Sequence, residues 1–371
     1  MDATSLAGRI IARIRGEDQV WGPYPLDLSL DAILELYQAT GEEKFREEVL
    51  RVMSRRQLPP GEPIPYASQP FGHVSYRLIE TDQYFLTAGV AENKDAAAFV
   101  GESFKYLREV PRSREGLVLH WGKVGEPARV LVDSMQNYAS RMARAGKLTG
   151  DQALRAECAE QFRLHRNLLR DPKSGLWSQG RGWENDPGEI SEGAWSRGQG
   201  WVLRGMVDAL EALPPESAEH PEIMSFLGEL LDALLPLQGG NGMWHALPHL
   251  AWRESPSETS GTALICRALY RALAAGWVCG EKYQTAADHA FRAVTKSVAP
   301  DGTVTGACAG PGPLTRKLAK NYRSPRFEED PDHGRFAVLY ACAAKARYDH
   351  YLVWLTASFQ GTSSKTFALH P

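Results

Sequence analysis

The carboxylate with the most suggestive setting is Asp133, in Val130-Leu131-Val132-Asp133-Ser134-Met135, where it follows an apolar run and opens a helical pattern. Apolar surroundings disfavour the anion, so an aspartate placed there becomes an acid able to donate a proton near neutral pH. A helix N-terminus pushes the other way, and Asp is a preferred N-cap, so the spacing fits either role. The most unusual string is Trp195-Ser196-Arg197-Gly198-Gln199-Gly200-Trp201, in which two tryptophans bracket an arginine and two glycines. Arg197 offers a planar donor fork for a sugar hydroxyl, a carboxylate or loop carbonyls, and the glycines let backbone approach a ligand. Glu258 and Glu189 are the carboxylates placed to partner Asp133 in a two-carboxylate hydrolysis; each suits a first-turn helix charge or a solvated loop equally well.

His73, His120, His245 and His333 fall at expected loop ends, where an imidazole binds a hydroxyl, assists proton transfer or bonds a loop carbonyl. Neither an HExxH pair nor a GxxxxGK[ST] loop is present, so neither a metal nor a nucleotide cofactor is expected. The formal charge of -3 provides no basic face for nucleic acid. Five cysteines are scattered without a CxxC pair, and the N-terminal residues have no basic segment leading into an apolar run. These features lead to the expectation of a cytoplasmic protein without a membrane span; oligomeric state is not legible.

The elements that must position these residues are helices. Apolar residues recur at i, i+3, i+4 and i+7 from Leu30 to Tyr37, Phe45 to Val52, Val132 to Met142, Ala153 to Leu169, Trp201 to Leu213, Ile223 to Leu237, Thr259 to Ala275, Tyr283 to Ser297 and Phe336 to Tyr348. With weaker candidates the count is about twelve, which suits six pairs. A glycine turn recurs about every sixty residues, at Glu115-Gly116-Leu117, Ser174-Gly175-Leu176-Trp177, Asn241-Gly242-Met243-Trp244 and Asp301-Gly302-Thr303. Each copy follows an outer helix and precedes a helix start rich in small residues. The implied fold is all-α, an (α/α)6 barrel of six helical hairpins over residues 1–355 with a tail at 356–371. An open solenoid acting as a binding scaffold is the alternative. The tryptophans at the loop end of the barrel, Trp121, Trp177, Trp183, Trp195, Trp201, Trp244 and Trp252, favour a closed sugar-binding funnel.

Five segments, EGLVLHW, VLVDSMQNYASRMA, WSRGQGW, SETSGTALI and DPDHGRFAVLYA, resemble in order those of glycoside hydrolase family 105, the unsaturated rhamnogalacturonyl hydrolases. A more distant likeness is to the unsaturated glucuronyl hydrolases of family 88. The resemblance spans residues 115 to 345 and implies an (α/α)6 barrel acting on 4,5-unsaturated uronic acid at the non-reducing end of lyase-generated oligosaccharides. It implies that Asp133 protonates C4 of the enol ether and activates the water that adds at C5, with Trp195, Arg197 and Trp201 lining the uronate subsite and His120 adding a polar contact. Two positions depart from the family. The stretch Gln69 to Tyr76 lacks the usual second aspartate, leaving His73 there, and Gln179 stands where the family has histidine. A two-carboxylate inverting glycosidase, a sugar epimerase and a non-catalytic sugar-binding protein are the competing readings.

Overall fold

The computed structural model describes residues 2–16, 23–55, 85–86, 88–90, 104, 107–108, 110–119, 129–182, 188–250, 254–310, 323, 325–327 and 332–359. Its helices are α1 (Ala3–Gly16), α2 (Pro23–Thr40), α3 (Glu43–Arg55), α4 (Ser140–Thr149), α5 (Gln152–Leu169), α6 (Ser196–Ala212), α7 (Glu219–Leu234), α8 (Thr259–Ala274), α9 (Glu281–Lys296) and α10 (Asp332–Phe359). Two short strands, β1 (Val130–Leu131) and β2 (Gly180–Arg181), pair antiparallel, and a π-helical turn, Met135–Ala139, leads into α4.

Burial separates the helices into two layers. Nearly every residue of α6 and α8 is buried, small and charged ones included, whereas α5, α7 and α9 bury one stripe and expose the other. A helix buried all round must be surrounded by other helices, so α6 and α8 belong to an inner ring. Neighbour by neighbour, that ring runs α4, α6, α8, α10, α2. Helical residues 85–86 and 88–90 lie between α2 and α4: a Cβ on Gly89 would meet the Leu34 side chain of α2, and Phe85 lies under the Arg144 guanidinium of α4 at 4.1 Å.

The glycine repeat explains how the outer layer is stitched. Gly116, Gly175, Gly242 and Gly302 all have positive φ, from 75° to 91°, which a side chain would strain. Three of the turns share one hydrogen-bond pattern, seen in Gly302 N to Ala299 O with Ala299 N to Thr303 O, and the turn at Gly175 is one residue longer, with Gly175 N to Asp171 O and Asp171 N to Leu176 O. Each glycine also presses on the next outer helix. A Cβ would touch Leu164 of α5 from Gly116, Ala233 of α7 from Gly175 and His289 O of α9 from Gly242. From Gly302 it would collide with the main chain of Arg9 in α1, so the last turn packs on the first helix and closes the ring. The structure is the expected helical barrel rather than the open solenoid. The last helix continues to Phe359, beyond the apolar period read from the sequence. No described helix is long and apolar enough to cross a membrane.

Candidate active site

Asp133 is positioned by two constraints from opposite sides. The β1–β2 ribbon ends with Val132 N donating to Gln179 O at 2.9 Å, and the chain then turns into the π-helix through Met135 N to Val132 O (3.0 Å) and Asn137 N to Asp133 O (2.9 Å). A π-turn inside an α-helix is a common accompaniment of functional sites, because the widened turn re-aims side chains. The first helical position is taken by Ser134, and no side chain caps this helix, so the N-cap role open to Asp133 is not used. Its Oδ2 is buried without a hydrogen-bond partner among the described residues. Burial pushes the Asp133 carboxyl up to about 6, against the opposing charge of Arg197. A carboxyl titrating there both holds and releases a proton in the range around pH 6.

Facing it is the N-terminus of α6. Trp195 is extended and Ser196 N bonds Ala246 O at 2.9 Å, so the helix starts on Ser196 with Arg197 in its first turn. The guanidinium of Arg197 is 1% exposed and already engaged: Nη1 donates to Ser260 Oγ (3.0 Å) and Cys308 O (2.8 Å), Nη2 donates to Ala309 O (3.2 Å), and the group stacks on Trp195 at 4.4 Å. Of the roles open to Arg197, bonding of loop carbonyls is the one the geometry shows; its charge still reaches Asp133. Gln199 is structural as well, pairing with both main-chain groups of Trp177 through Trp177 N to Oε1 (3.0 Å) and Nε2 to Trp177 O (2.7 Å).

The glycines of this string, together with Gly205 further along α6, sit at helix contacts. A Cβ on Gly198 would lie 3.1 Å from Val132, on Gly200 2.6 Å from Leu264 Cβ, and on Gly205 2.6 Å from Met135 O. Gly198 and Gly205 are seven apart and share one helix face, which presses α6 onto the Asp133 segment, while Gly200 admits α8 on another. They bring helices together rather than backbone to ligand. Trp201 is 1% exposed and packs at 5.6 Å on Phe336 in the main core, which places it in the wall of the barrel. Trp177 and Trp244 are equally interior, and Trp195 is 5% exposed beneath Arg197. His73 and His120 lie outside the described residues, as do Trp121, Trp183 and Trp252. Gln179 is buried beside the ribbon, and its carbonyl anchors Val132.

Glu258 is an N-cap. It is fully buried and accepts from Ser260 N (3.1 Å), Gly261 N (2.6 Å), Ser260 Oγ (2.7 Å) and Cys308 N (3.0 Å), which saturates both oxygens. A carboxylate so engaged is unfit as the water-activating base of an inverting pair. Glu189 is half-buried in the loop after β2. His245 bonds Leu250 O through Nδ1 at 3.0 Å, the structural role for a histidine. His333, at the start of α10, stacks on Phe336 at 5.5 Å, and burial together with Arg197 holds it well below the usual imidazole range, so it is neutral at pH 7. Sequence reasoning missed Ser260, Cys308 and Ala309, which hold Arg197 from far along the chain and carry no motif of their own. No group of three or more His, Cys, Asp or Glu side chains among the described residues could hold a metal ion.

Among the described residues, Asp133 at the head of an inner helix is the one carboxyl held above its ordinary value. The model of Glycosyl Hydrolase Family 88 matches residues 7–348, and the chain belongs to that family. It is therefore a glycoside hydrolase. Among solved structures, a family 105 glycoside hydrolase from C. acetobutylicum is similar with a TM-score of 0.77 at 20% identity, covering 93% of this chain and 99% of that one. A possible family 105 member from Salmonella enterica matches with a TM-score of 0.74 at 20% identity over 94% of each chain. An unsaturated glucuronyl hydrolase from Bacillus sp. GL1 matches with a TM-score of 0.67 at 17% identity, covering 92% of this chain and 95% of that one. At such identities the likeness is one of fold, and this chain is a divergent member. Comparison with curated proteins finds no match.

Proposed function

We propose that this enzyme releases 4,5-unsaturated uronic acid from the non-reducing end of oligosaccharides by hydrating the enol ether, with Asp133 as general acid and then general base. The observation that carries the reading is an enclosed carboxyl raised to about 6 with one oxygen left unpaired, the one carboxyl so raised among the described residues. Ordinary glycoside hydrolysis needs two carboxyl groups with separate duties. Hydration of a vinyl ether needs one. Asp133 delivers its proton to C4 as water bonds to C5, and the proton lost by that water returns to Asp133; the C5 hemiketal then opens and the sugar beyond it is released. Atoms balance, and the acid is regenerated in the same turnover. Saturation of Glu258 by hydrogen bonds weighs against the inverting alternative. The titratable glycosidase residue is thus Asp133, the substrate class is the unsaturated uronides, and the five free cysteines support the reading of a protein kept in a reducing compartment.

The conjugated C4=C5 bond absorbs in the ultraviolet, so purified protein added to unsaturated disaccharides from pectin, glycosaminoglycan, ulvan or gellan lyases should bleach that band. Asp133→Asn should lower kcat by about 10²- to 10⁴-fold, the usual worth of a general acid. Undiminished bleaching in that variant would remove Asp133 from the chemistry. Tight disaccharide binding without absorbance loss would point to a non-catalytic sugar-binding protein.

A further inference from the structure

The saturated carboxylate of Glu258 takes no part in the proton transfers assigned to Asp133, yet its hydrogen bonds gather the same groups that grip Arg197. The proton of the Ser260 hydroxyl goes to Glu258 Oε1 (2.7 Å), which turns a lone pair of that oxygen toward Arg197 Nη1 (3.0 Å). The Cys308 amide likewise donates to Glu258 Oε1 (3.0 Å), while the carbonyl of the same residue accepts from Arg197 Nη1 at 2.8 Å. Ser196, the residue before Arg197, reaches Glu258 Oε2 at 3.4 Å. Three stretches of chain far apart in sequence thus meet at one carboxylate. A neutral amide there would offer a donor to donors, and the Ser260 hydroxyl would lose its orientation.

We propose that Glu258 is a positioning residue for the reaction assigned above, holding the Arg197 guanidinium beside Asp133 through the Ser260 hydroxyl and the Cys308 main chain. This rests on the reading of Asp133 as the proton donor. The consequence is electrostatic, because Arg197 is the charged group that opposes the burial of Asp133. Besides Asp133 and Glu258, two titratable groups that feel the Arg197 charge among the described residues are uncharged at pH 7: His333 from α10 is held well below its usual range, and burial pushes the Cys308 thiol up to about 12. The direction of change separates two explanations. Removing the negative charge of Glu258 acts directly to lower the Asp133 pKa, whereas releasing Arg197 raises it.

The test follows Asp133 itself in wild type, Glu258→Gln, Ser260→Ala and Ser260→Thr, by carbon NMR of labelled aspartate carboxyls assigned through Asp133→Asn. Melting curves and the pH profile of absorbance loss accompany the titration. In Glu258→Gln and Ser260→Ala, Asp133 should titrate higher by about half a unit or more. The alkaline limb of activity should move by the same amount, while Ser260→Thr, which keeps the hydroxyl, stays at the wild-type value. An unchanged titration in Ser260→Ala overturns the proposal and leaves Glu258 as a helix cap; a downward shift in Glu258→Gln overturns it in favour of a direct charge effect. If Glu258→Gln fails to fold, Ser260→Ala carries the test. Wild-type protein that bleaches no unsaturated disaccharide, yet shows the titration shifts, defeats the assigned reaction while leaving the grip on Arg197 intact.

Discussion

Asp31 and Asp133 are both largely enclosed by inner helices, and their surroundings drive them in opposite directions. Burial works to raise both. At Asp31 it is overcome by Arg144 at 3.6 Å, Arg204 at 2.9 Å and the Tyr340 hydroxyl at 2.8 Å, and the carboxyl is held below its ordinary value. At Asp133 one arginine opposes burial, and the terminal nitrogens of that arginine are turned to Ser260 and two carbonyls, so the carboxyl rises. Asp31 opens a network that continues through Arg267 to Glu35 (2.5 Å) and Asp208 (2.6 Å), and through Arg271 to Glu211, tying α2, α4, α6, α8 and α10 together. Arg204 follows Arg197 by seven residues, which places this network about 10 Å further along the inner helices. One layer of the barrel pairs its charges and the layer above leaves one unpaired. The lesson is that enclosure alone makes an acid, while enclosure with matched arginines makes a joint.

The largest effect that would break this comparison comes from Arg267→Leu. It leaves Glu35 and Asp208 buried without their shared partner, and breaking such a pair costs about 3–5 kcal/mol. Chemical denaturation of the variant should show that loss; a change below about 1 kcal/mol would mean the network is not a joint. The next effect sharpens the other side. A carboxyl raised from 3.8 to about 6 destabilises the fold once it ionises, so its contribution is favourable below the unfolded pKa and is lost as pH rises through about 6. The stability difference between wild type and Asp133→Asn should therefore change by up to about 3 kcal/mol between pH 4 and pH 7, with the wild type losing ground. Urea denaturation at both pH values measures it. Third is Gly205→Ala, whose methyl would sit 2.6 Å from Met135 O and pry α6 off the π-turn. A cost of about 1–3 kcal/mol is expected, with a fall in kcat because Asp133 and Arg197 separate.

These pairs also show what the sequence could and could not reveal. The barrel was legible because Gly116, Gly175, Gly242 and Gly302 sit where only a left-handed residue fits, and a turn constraint survives as residue type. Asp133 was legible for a similar reason, as a charge set against an apolar run. The paired layer left a signal that went unread: Asp31 and Glu35, Arg204 and Asp208, and Arg267 and Arg271 lie four apart within otherwise apolar helices, the spacing that stacks charges on one buried face. Helix contacts through Gly198, Gly200 and Gly205 could not be told from ligand approach, since both demand the absence of a Cβ. The grip of Cys308 and Ala309 on Arg197 spans more than a hundred residues through main-chain carbonyls, which every residue possesses, so no residue type records it.

The smallest expected effect decides whether Trp195 belongs to the substrate or to Arg197. Its ring is 5% exposed, with the guanidinium 4.4 Å from its centre, so the ring face is already in use. Trp195→Phe keeps an aromatic face under Arg197 on a smaller ring. Stability should fall by about 0.5–1 kcal/mol, and KM for an unsaturated disaccharide should stay within about twofold, because no sugar contact is lost. A tryptophan that stacks on the sugar would instead raise KM about tenfold, at about 1.4 kcal/mol for the lost contact, with little change in melting. The ratio of the two changes separates a supporting wall from a binding face. A tenfold rise in KM would place the ring with the substrate, and the division between a closed wall and an open acid would have to be redrawn at Trp195.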